Sequence, residues 1–407
     1  MRIDFQRKYD TVVVGGGVAG VAAAISSAES GVKTALIEKS CMLGGLATMG
    51  MIYFYLPICD GKGTQVGFGL AEKLMHASVK YGPQSVDFAN WKNDIKNLRY
   101  RSIFSPAAFI LAMEELLLQK GVEIWYDSIF CGIEKNSVSG SELIIRNKGG
   151  NGKFSAEVVI DATGDAEVAR ECGCDFIQGE NTLAFWSVEN DEDNRDELWS
   201  RFGQTKLKGM INGKISEKSL PYHALDPRGV SDYIIESRNW ARQVYSASDI
   251  DRSRRFPVLI PSMADFRIAA RIKGRNTILH NTHNIRYEDS VGMAADWGSI
   301  GTVQEIPYSA MLPGKGDNII VAGRCISAEN YSWELIRSIP AVAVTGEAAG
   351  VAAALSVQQK TPCADLDHKV LQNNLYARGC KMHLSDVDLP YRGEKNYIPS
   401  TLKFETH

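Results

Sequence analysis

Gly15, Gly17 and Gly20 stand in the spacing G-x-G-x-x-G, and a carboxylate, Glu38, follows eighteen positions after the last of them. Each glycine has its own physical use. The first permits a tight turn, the second lets a pyrophosphate approach the backbone, and the third lets a helix pack close against a strand. Free N–H groups at the start of that helix, around Ala19, bind phosphate oxygens. Glu38 can accept both hydroxyls of an adenosine ribose. The chemistry indicated is nucleotide binding, provided that the flanking sequence supplies a strand before the loop and a helix after it.

It does. Thr11 to Val14 is a β-branched run that enters the glycines, Val21 to Glu29 is an alanine-rich helical pattern closed by Gly31, and Thr34 to Ile37 is a second strand ending on Glu38. Ser105 is placed to cap a helix that has Pro106 at its first position and runs to about Gln119, where Gly121 ends it. Short alternating runs at Glu123 to Tyr126, Ile129 to Glu134, Leu143 to Arg146 and Ala156 to Ile160 predict a β-meander. Asn318 to Ala322 is a further buried strand and Pro340 to Ser356 a long helix of small residues. The expected fold is α/β: a discontinuous Rossmann-like domain (residues 1–170 and 307–362) with a β-meander. An inserted α+β substrate domain at 171–306, holding a strand at Leu183 to Val188 and a helix at Ser231 to Tyr245, and a helical tail at 363–407 complete it.

The segments around the loop favour FAD over a nicotinamide. Leu43-Gly44-Gly45-Leu46-Ala47-Thr48 sets a glycine doublet where the chain can pass a pyrophosphate towards a flavin ring, which a dehydrogenase does not need. Two strands end in small-residue turns, Val158 to Asp165 and Asp317 to Arg324. Ser338-Ile339-Pro340 opens a helix whose positive end can face the electron-rich edge of a reduced isoalloxazine.

These residues resemble the two-dinucleotide-binding-domain flavoproteins, and within them FAD-dependent oxidoreductases related to the fumarate-reductase and glucose-inhibited-division groups. The resemblance rests on L-G-G-x-x-T at Leu43 to Thr48, R-x-x-x-R-x-x-G at Arg267 to Gly274, I-P-Y at Ile306 to Tyr308, and D-N-x-x-V-A-G-R-C-I-S at Asp317 to Ser327. It covers most of the chain and is weakest at residues 180 to 260. It implies that Gly15, Gly17, Ala19, Gly20, Glu38 and Lys39 hold the ADP half, with Phe130 near the adenine. Gly44, Gly45, Leu46 and Thr48 then line the path to the flavin. Ala162, Thr163 and Gly164 border the pyrophosphate, while Gly323, Arg324, Ile339, Pro340 and Ala341 meet the ribityl chain and ring.

A flavin reaction also needs a group that moves a proton while N5 moves the hydride. The candidates are Arg267, Arg271, His283, Tyr308 and Arg337. Arg267 and Arg271, at i and i+4, equally fit one face of a helix pairing with Asp265. His283 fits a structural hydrogen bond, and Arg337 a loop anchor. Cys41 and Cys59 lack the C-x4-C spacing of the disulfide reductases, and there is no second G-x-G-x-x-G. Cys41, near the cofactor path, is expected to be a packed thiol rather than a flavin thioether. Cys172 and Cys174 have no second pair, so no metal site is expected.

A net charge of −3 gives no reason to expect a nucleic-acid partner. The polar start Met1 to Asp10 lacks the apolar core of a secretory signal. Ala341 to Leu355, interrupted by Glu347, falls short of the roughly 18 residues of a membrane span, and a cytoplasmic protein is expected. The expected activity is hydride transfer between FAD and a small organic molecule, with a reducing nicotinamide or another donor as electron partner. The alternatives are a flavin monooxygenase or hydroxylase and a noncatalytic FAD-binding redox sensor.

Overall fold

A computed structural model describes residues 2–82, 102–136, 140–191, 221–316 and 318–399, and the backbone of 203–208, 210–211 and 214–215. Asp317 lies outside the described residues. The strand Phe5–Val14 runs into the glycine loop, the helix Val18–Glu29 follows, and Thr34–Ile37 returns parallel to the first strand, pairing Thr11 with Thr34 through Val14 with Ile37. Ser105 caps the helix Pro106–Gln119, its side chain accepting from Ala108 N–H.

The seven-stranded sheet has the order Glu123–Trp125, Thr34–Ile37, Phe5–Val14, Gly150–Asp161, Gly140–Asn147, Ile129–Asn136, with Ile319–Val321 also paired to Gly150–Asp161. The long strand Gly150–Asp161 joins two kinds of pairing. Its first half is antiparallel to Gly140–Asn147, and its end, Val159 to Asp161, is parallel to Ile319–Val321. This corrects one expectation. Glu123–Trp125 is not in the meander but forms the opposite, parallel edge beside Thr34–Ile37, because it follows a helix that crosses back over the sheet. The meander is the three strands between Ile129 and Asp161.

The last long helix, Ile339–Gln359, packs against Val18–Glu29 at backbone distance. A Cβ on Gly346 would sit 2.2 Å from the Ala19 carbonyl oxygen, and one on Gly350 2.0 Å from Ser26 Oγ. Small residues there are the condition for contact. At 21 residues this helix, unlike the shorter stretch read from sequence, is long and apolar enough to cross a bilayer. In this fold it is instead buried almost throughout, with Val13, Ile160 and Ile320 in the same core.

Between the two halves of the sheet domain, Ala184–Asp191 pairs with Gly203–Lys208 and Arg255–Leu259, and the helix Gly229–Tyr245 is tied to this sheet by Tyr233, whose hydroxyl donates to the Ala184 carbonyl at 3.0 Å. Ser290–Ala295 and Val303–Pro307 form an antiparallel pair, Ser290 opposite Pro307 and Ala295 opposite Val303. Its buried Glu305 accepts hydrogen bonds from Tyr287 N–H (2.8 Å), Leu384 N–H (2.9 Å) and Tyr391 Oη (2.7 Å), which fasten the tail. The tail itself is helical at His368–Ala377, with short 3-10 turns on either side.

Candidate functional site: a cleft across the sheet end

The carboxyl ends of the central parallel strands open into one cavity of about 1040 Å³, counting its mouth. Ligands of open α/β sheets bind at such strand ends. Glu38, Lys39, Ser128, Ile129, Phe130 and Glu167 line one end; Leu46, Met49, Met263, Arg337, Ile339 and Val342 line the other. Gly15, Gly17, Ala19, Gly44, Gly45, Ala162, Thr163, Gly164, Gly323 and Arg324 lie along it.

The glycine loop does what its spacing requires. Gly15 has φ +101°, and a Cβ there would lie 2.5 Å from the Ala162 carbonyl oxygen. A Cβ on Gly20 would lie 1.8 Å from the Gly15 carbonyl oxygen, whereas one on Gly17 would meet nothing within 4 Å. Gly17 faces open cavity. The helix behind it has no side-chain cap, so its first N–H groups remain available for an anion. Gly44 N–H donates to Gly16 O at 2.8 Å, which docks the Leu43-to-Thr48 segment on the loop.

Glu38 is held on both oxygens. Oε2 accepts from Gly16 N–H at 2.7 Å and Oε1 from Ser40 N–H at 2.8 Å. Each carboxylate oxygen has a second lone pair, so the fixed group can still receive ribose hydroxyls. The turn after Gly150–Asp161 is organised by Asp161, whose Oδ1 accepts from Thr163 Oγ1 (2.7 Å) and N–H (3.1 Å) and whose Oδ2 accepts from Ala169 N–H (2.9 Å). Sequence reading singled out Ala162, Thr163 and Gly164 but missed Asp161. The signal was present: an aspartate with a threonine two positions on is the pattern of an Asx turn.

Arg324 is the hinge between cofactor cleft and insertion. Its guanidinium donates from Nε to Gly164 O (2.7 Å), from Nη1 to Phe266 O (2.6 Å) and from Nη2 to Asp165 Oδ1 (2.8 Å). Arg337 also lines the cleft and pairs with Glu334, Nε to Oε2 at 2.8 Å. Burial, with the nearby Arg267 charge, pulls the Arg337 guanidinium below its ordinary value, while Glu334 opposes that.

Four of the predicted cofactor residues do not line the cavity, each for a visible reason. Gly20 faces Gly15 and serves helix packing. Thr48 donates its hydroxyl to Leu43 O at 2.5 Å and braces the glycine doublet from behind. Pro340 and Ala341 are buried on the core side of their helix, while Ile339 and Val342 face the cleft.

Of the predicted catalytic residues, the structure brings only Arg337 to the cavity wall. Arg267 and Arg271 are not on a helix. Arg271 sits in the strand Ala270–Ile272 opposite Ile177, with its guanidinium 5.5 Å from the centre of the Trp333 ring. A two-strand pairing overrides the i, i+4 spacing there. Tyr308 is buried and its hydroxyl donates to Cys363 O at 2.8 Å. Burial lowers the pKa of His283, which lies edge-on to Tyr331 away from the cavity lining. Cys41 is exposed, not packed, and is not part of the lining.

A residue outside every sequence motif stands out two positions from Met263. Asp265 is 4 % exposed, accepts a hydrogen bond from the Trp186 backbone N–H, and leaves Oδ1 without a partner among the described residues. Burial pushes its carboxyl well above the usual carboxylate range, against the pull of Trp186, Arg267 and Arg324. The protonated form is thus favoured in the folded chain. Its stabilising contribution is fully present below the unfolded value near 3.9 and is lost as pH rises through the higher folded value. Asp265→Asn should therefore gain stability over the parent as pH rises above about 4, the gap levelling off above the folded value. Guanidinium unfolding of both proteins at several pH values measures it, and parallel curves contradict the assignment.

The family profile described as FAD dependent oxidoreductase matches residues 10–185 and 233–375. The chain belongs to the FAD dependent oxidoreductase family. FAD is that family's cofactor, and the open face of Gly17, the fixed Glu38 and the two uncapped helix starts fit it. The family match omits residues 186–232. A thioredoxin reductase of Ureaplasma parvum serovar 3 is 28 % identical over 94 residues, spanning 23 % of this chain and 30 % of that relative. The chain thus matches less than a third of that protein's length. Among solved structures it is similar to CabE, an aromatic hydroxylase from angucycline biosynthesis (15 % identity, 91 % of this chain and 68 % of that one, TM-score 0.47). It is also similar to the p-nitrophenol 4-monooxygenase PnpA from Pseudomonas putida DLL-E4 (11 %, 92 % and 85 %, TM-score 0.47).

Proposed function

We propose that this protein transfers a hydride between FAD and a small organic substrate bound at the Leu46, Met49 and Met263 end of the cleft. The observation that carries this reading is the continuity of the cavity. One wall runs from the ribose-binding Glu38, past the open Gly17, to an apolar end where the inserted segment contributes Met263. FAD, when bound, supplies the hydride chemistry of its isoalloxazine ring. The chain's own groups supply position. The backbone N–H groups of the loop neutralise phosphate charge, the start of Ile339–Gln359 offers its positive end to the far side of the cleft, and Met49, Met263 and Val342 exclude water there.

The electron partner in this reading is a reducing nicotinamide or another donor that visits the same cavity rather than a second nucleotide site, a reading supported by the single glycine fingerprint of the sequence. The test is direct. The purified protein should show a flavin spectrum, and a metabolite panel scored under anaerobic conditions should contain compounds that bleach it, with NADH and NADPH in separate arms. A bound flavin that nothing reduces or reoxidises points instead to a redox sensor. Oxygen uptake stoichiometric with a hydroxylated product would make the protein a monooxygenase.

A further inference from the structure

Met263 belongs to two cavities. It lines the cofactor cleft at the end away from Glu38, and it also lines a narrow inner pocket between the helix Gly229–Tyr245, the start of the strand Ala184–Asp191 and the segment 261–265. The inner pocket has room for about one atom the size of a water oxygen. Its wall is apolar at Phe185, Ile234 and Ala264 but also carries Asp265, whose Oδ1 has no partner among the described residues. Burial favours the protonated form of that carboxyl, so it has an O–H to give.

The side chain shared by the two cavities is one that chemistry can change. A thioether is flexible and apolar, and a single added oxygen atom converts it to a polar sulfoxide. In the flavin reading, the far end of the cleft is where dioxygen meets the reduced ring. Dioxygen takes two electrons and two protons from reduced flavin and leaves as hydrogen peroxide. Met49 and Met263 are the sulfur side chains on that wall among the described residues. Met49 is 7 % exposed, whereas Met263 is half-buried in a stretch without regular secondary structure. When peroxide meets a thioether, a sulfur lone pair forms the S–O bond, the O–O bond breaks and the remaining oxygen leaves as water. Sulfur gives up two electrons and the peroxide takes them.

We propose that Met263 is an oxidation site: peroxide released at the flavin end of the cleft converts its thioether to the sulfoxide, whose oxygen the inner pocket accepts. This rests on the flavin reading above and adds a means of regulation to the same site. One added oxygen matches the free space in the pocket, and the Asp265 O–H supplies its hydrogen bond. A side chain drawn into the inner pocket no longer covers the cleft, so the modified protein exposes its flavin to water.

The experiment takes the FAD-loaded protein through cycles of anaerobic reduction by dithionite and admission of air, in the dark, with catalase in solution to remove peroxide that escapes. Peptide mass spectrometry then measures sulfoxide at Met263 and at Met42, which is 38 % exposed and outside the cleft lining. Met263 should carry at least about fivefold more sulfoxide than Met42, although exposure alone favours Met42. Equal oxidation of the two overturns the proposal. So does the same preference when hydrogen peroxide is simply added to the oxidised protein, since the thioether would then be reactive wherever the peroxide arose. Iodide should quench the flavin fluorescence of the cycled protein more steeply, by at least about twofold, and Met263→Leu should show no such rise. Sulfoxide at Met263 with unchanged quenching overturns the regulatory role. Should the leucine variant not fold, the peptide map and the quenching of the parent decide. A protein that takes up no FAD sinks the flavin reading, and this one with it. A bound flavin that air does not reoxidise, or that reoxidises and leaves Met263 a thioether, sinks this one alone.

Discussion

Gly17→Ala should leave the apoprotein as stable as the parent to within about 1 kcal/mol while costing at least about 100-fold in FAD affinity, close to 3 kcal/mol. The two halves of that expectation have separate causes. Gly17 has φ −64° and ψ 175°, a conformation that alanine adopts without strain, and an added Cβ meets nothing within 4 Å. What remains on the folding side is the modest preference for glycine over alanine at a helix N-cap. The methyl group would instead occupy the space through which a pyrophosphate reaches the loop's N–H groups. Gly20→Ala makes the opposite control. Its Cβ would lie 1.8 Å from a backbone oxygen that cannot rotate away, so it should destabilise the apoprotein by about 1–3 kcal/mol or more before any ligand is added. Denaturant unfolding of the apoproteins together with fluorescence titration by FAD separates the cases. A Gly17→Ala protein that binds FAD normally would mean that the diphosphate lies elsewhere.

What could be read from the sequence was whatever is fixed by neighbours in the chain. The first βαβ unit, the Ser105 cap and the strand at 319–321 follow from hydrophobic period, glycine placement and capping residues within a dozen positions. Lost were features set by partners far along the chain. Glu123–Trp125 was recognisable as a strand, but its partner Thr34–Ile37 was decided by the crossover. Arg267 and Arg271 have helical spacing, yet Ala270–Ile272 is claimed by Phe176–Gln178. Asp265 had no motif at all, because the stretch from 261 to 269 has no regular structure and is positioned by Asn181 and Arg324. His283 and Tyr308 drew attention by residue type alone. Whether such a side chain meets the cleft or a backbone carbonyl depends on packing that no local pattern encodes.

The cofactor cleft and the inserted segment are joined by backbone bonds such as Ser262 N–H to Met49 O at 2.9 Å and by the three bonds of the Arg324 side chain, and the latter can be cut. Arg324→Met should cost about 2–4 kcal/mol of stability, somewhat less than a fully buried ion pair because Asp165 is partly exposed. The methionine fills the volume but leaves the Asp165 carboxylate and the carbonyls of Gly164 and Phe266 without their donor. The loss should fall unevenly. Removing the Phe266 bond frees the segment that carries Met263, Asp265 and Arg267 from the turn at 162–165. Limited proteolysis should accordingly cut between 261 and 269 under conditions where the sheet core stays intact. Asp165→Asn alone should cost less, since Arg324 keeps both carbonyls, and the double variant should lose less than the two single losses added together, as expected for groups in one network. Flavin retention gives the functional reading of the same cycle, because Arg324 forms part of the cavity wall. If Arg324→Met retained flavin and resisted cleavage like the parent, the segment from 261 to 269 would have to be held over the cleft by its remaining bonds, Ser262 N–H to Met49 O and the Asn181 side chain to Arg267 and Ile268.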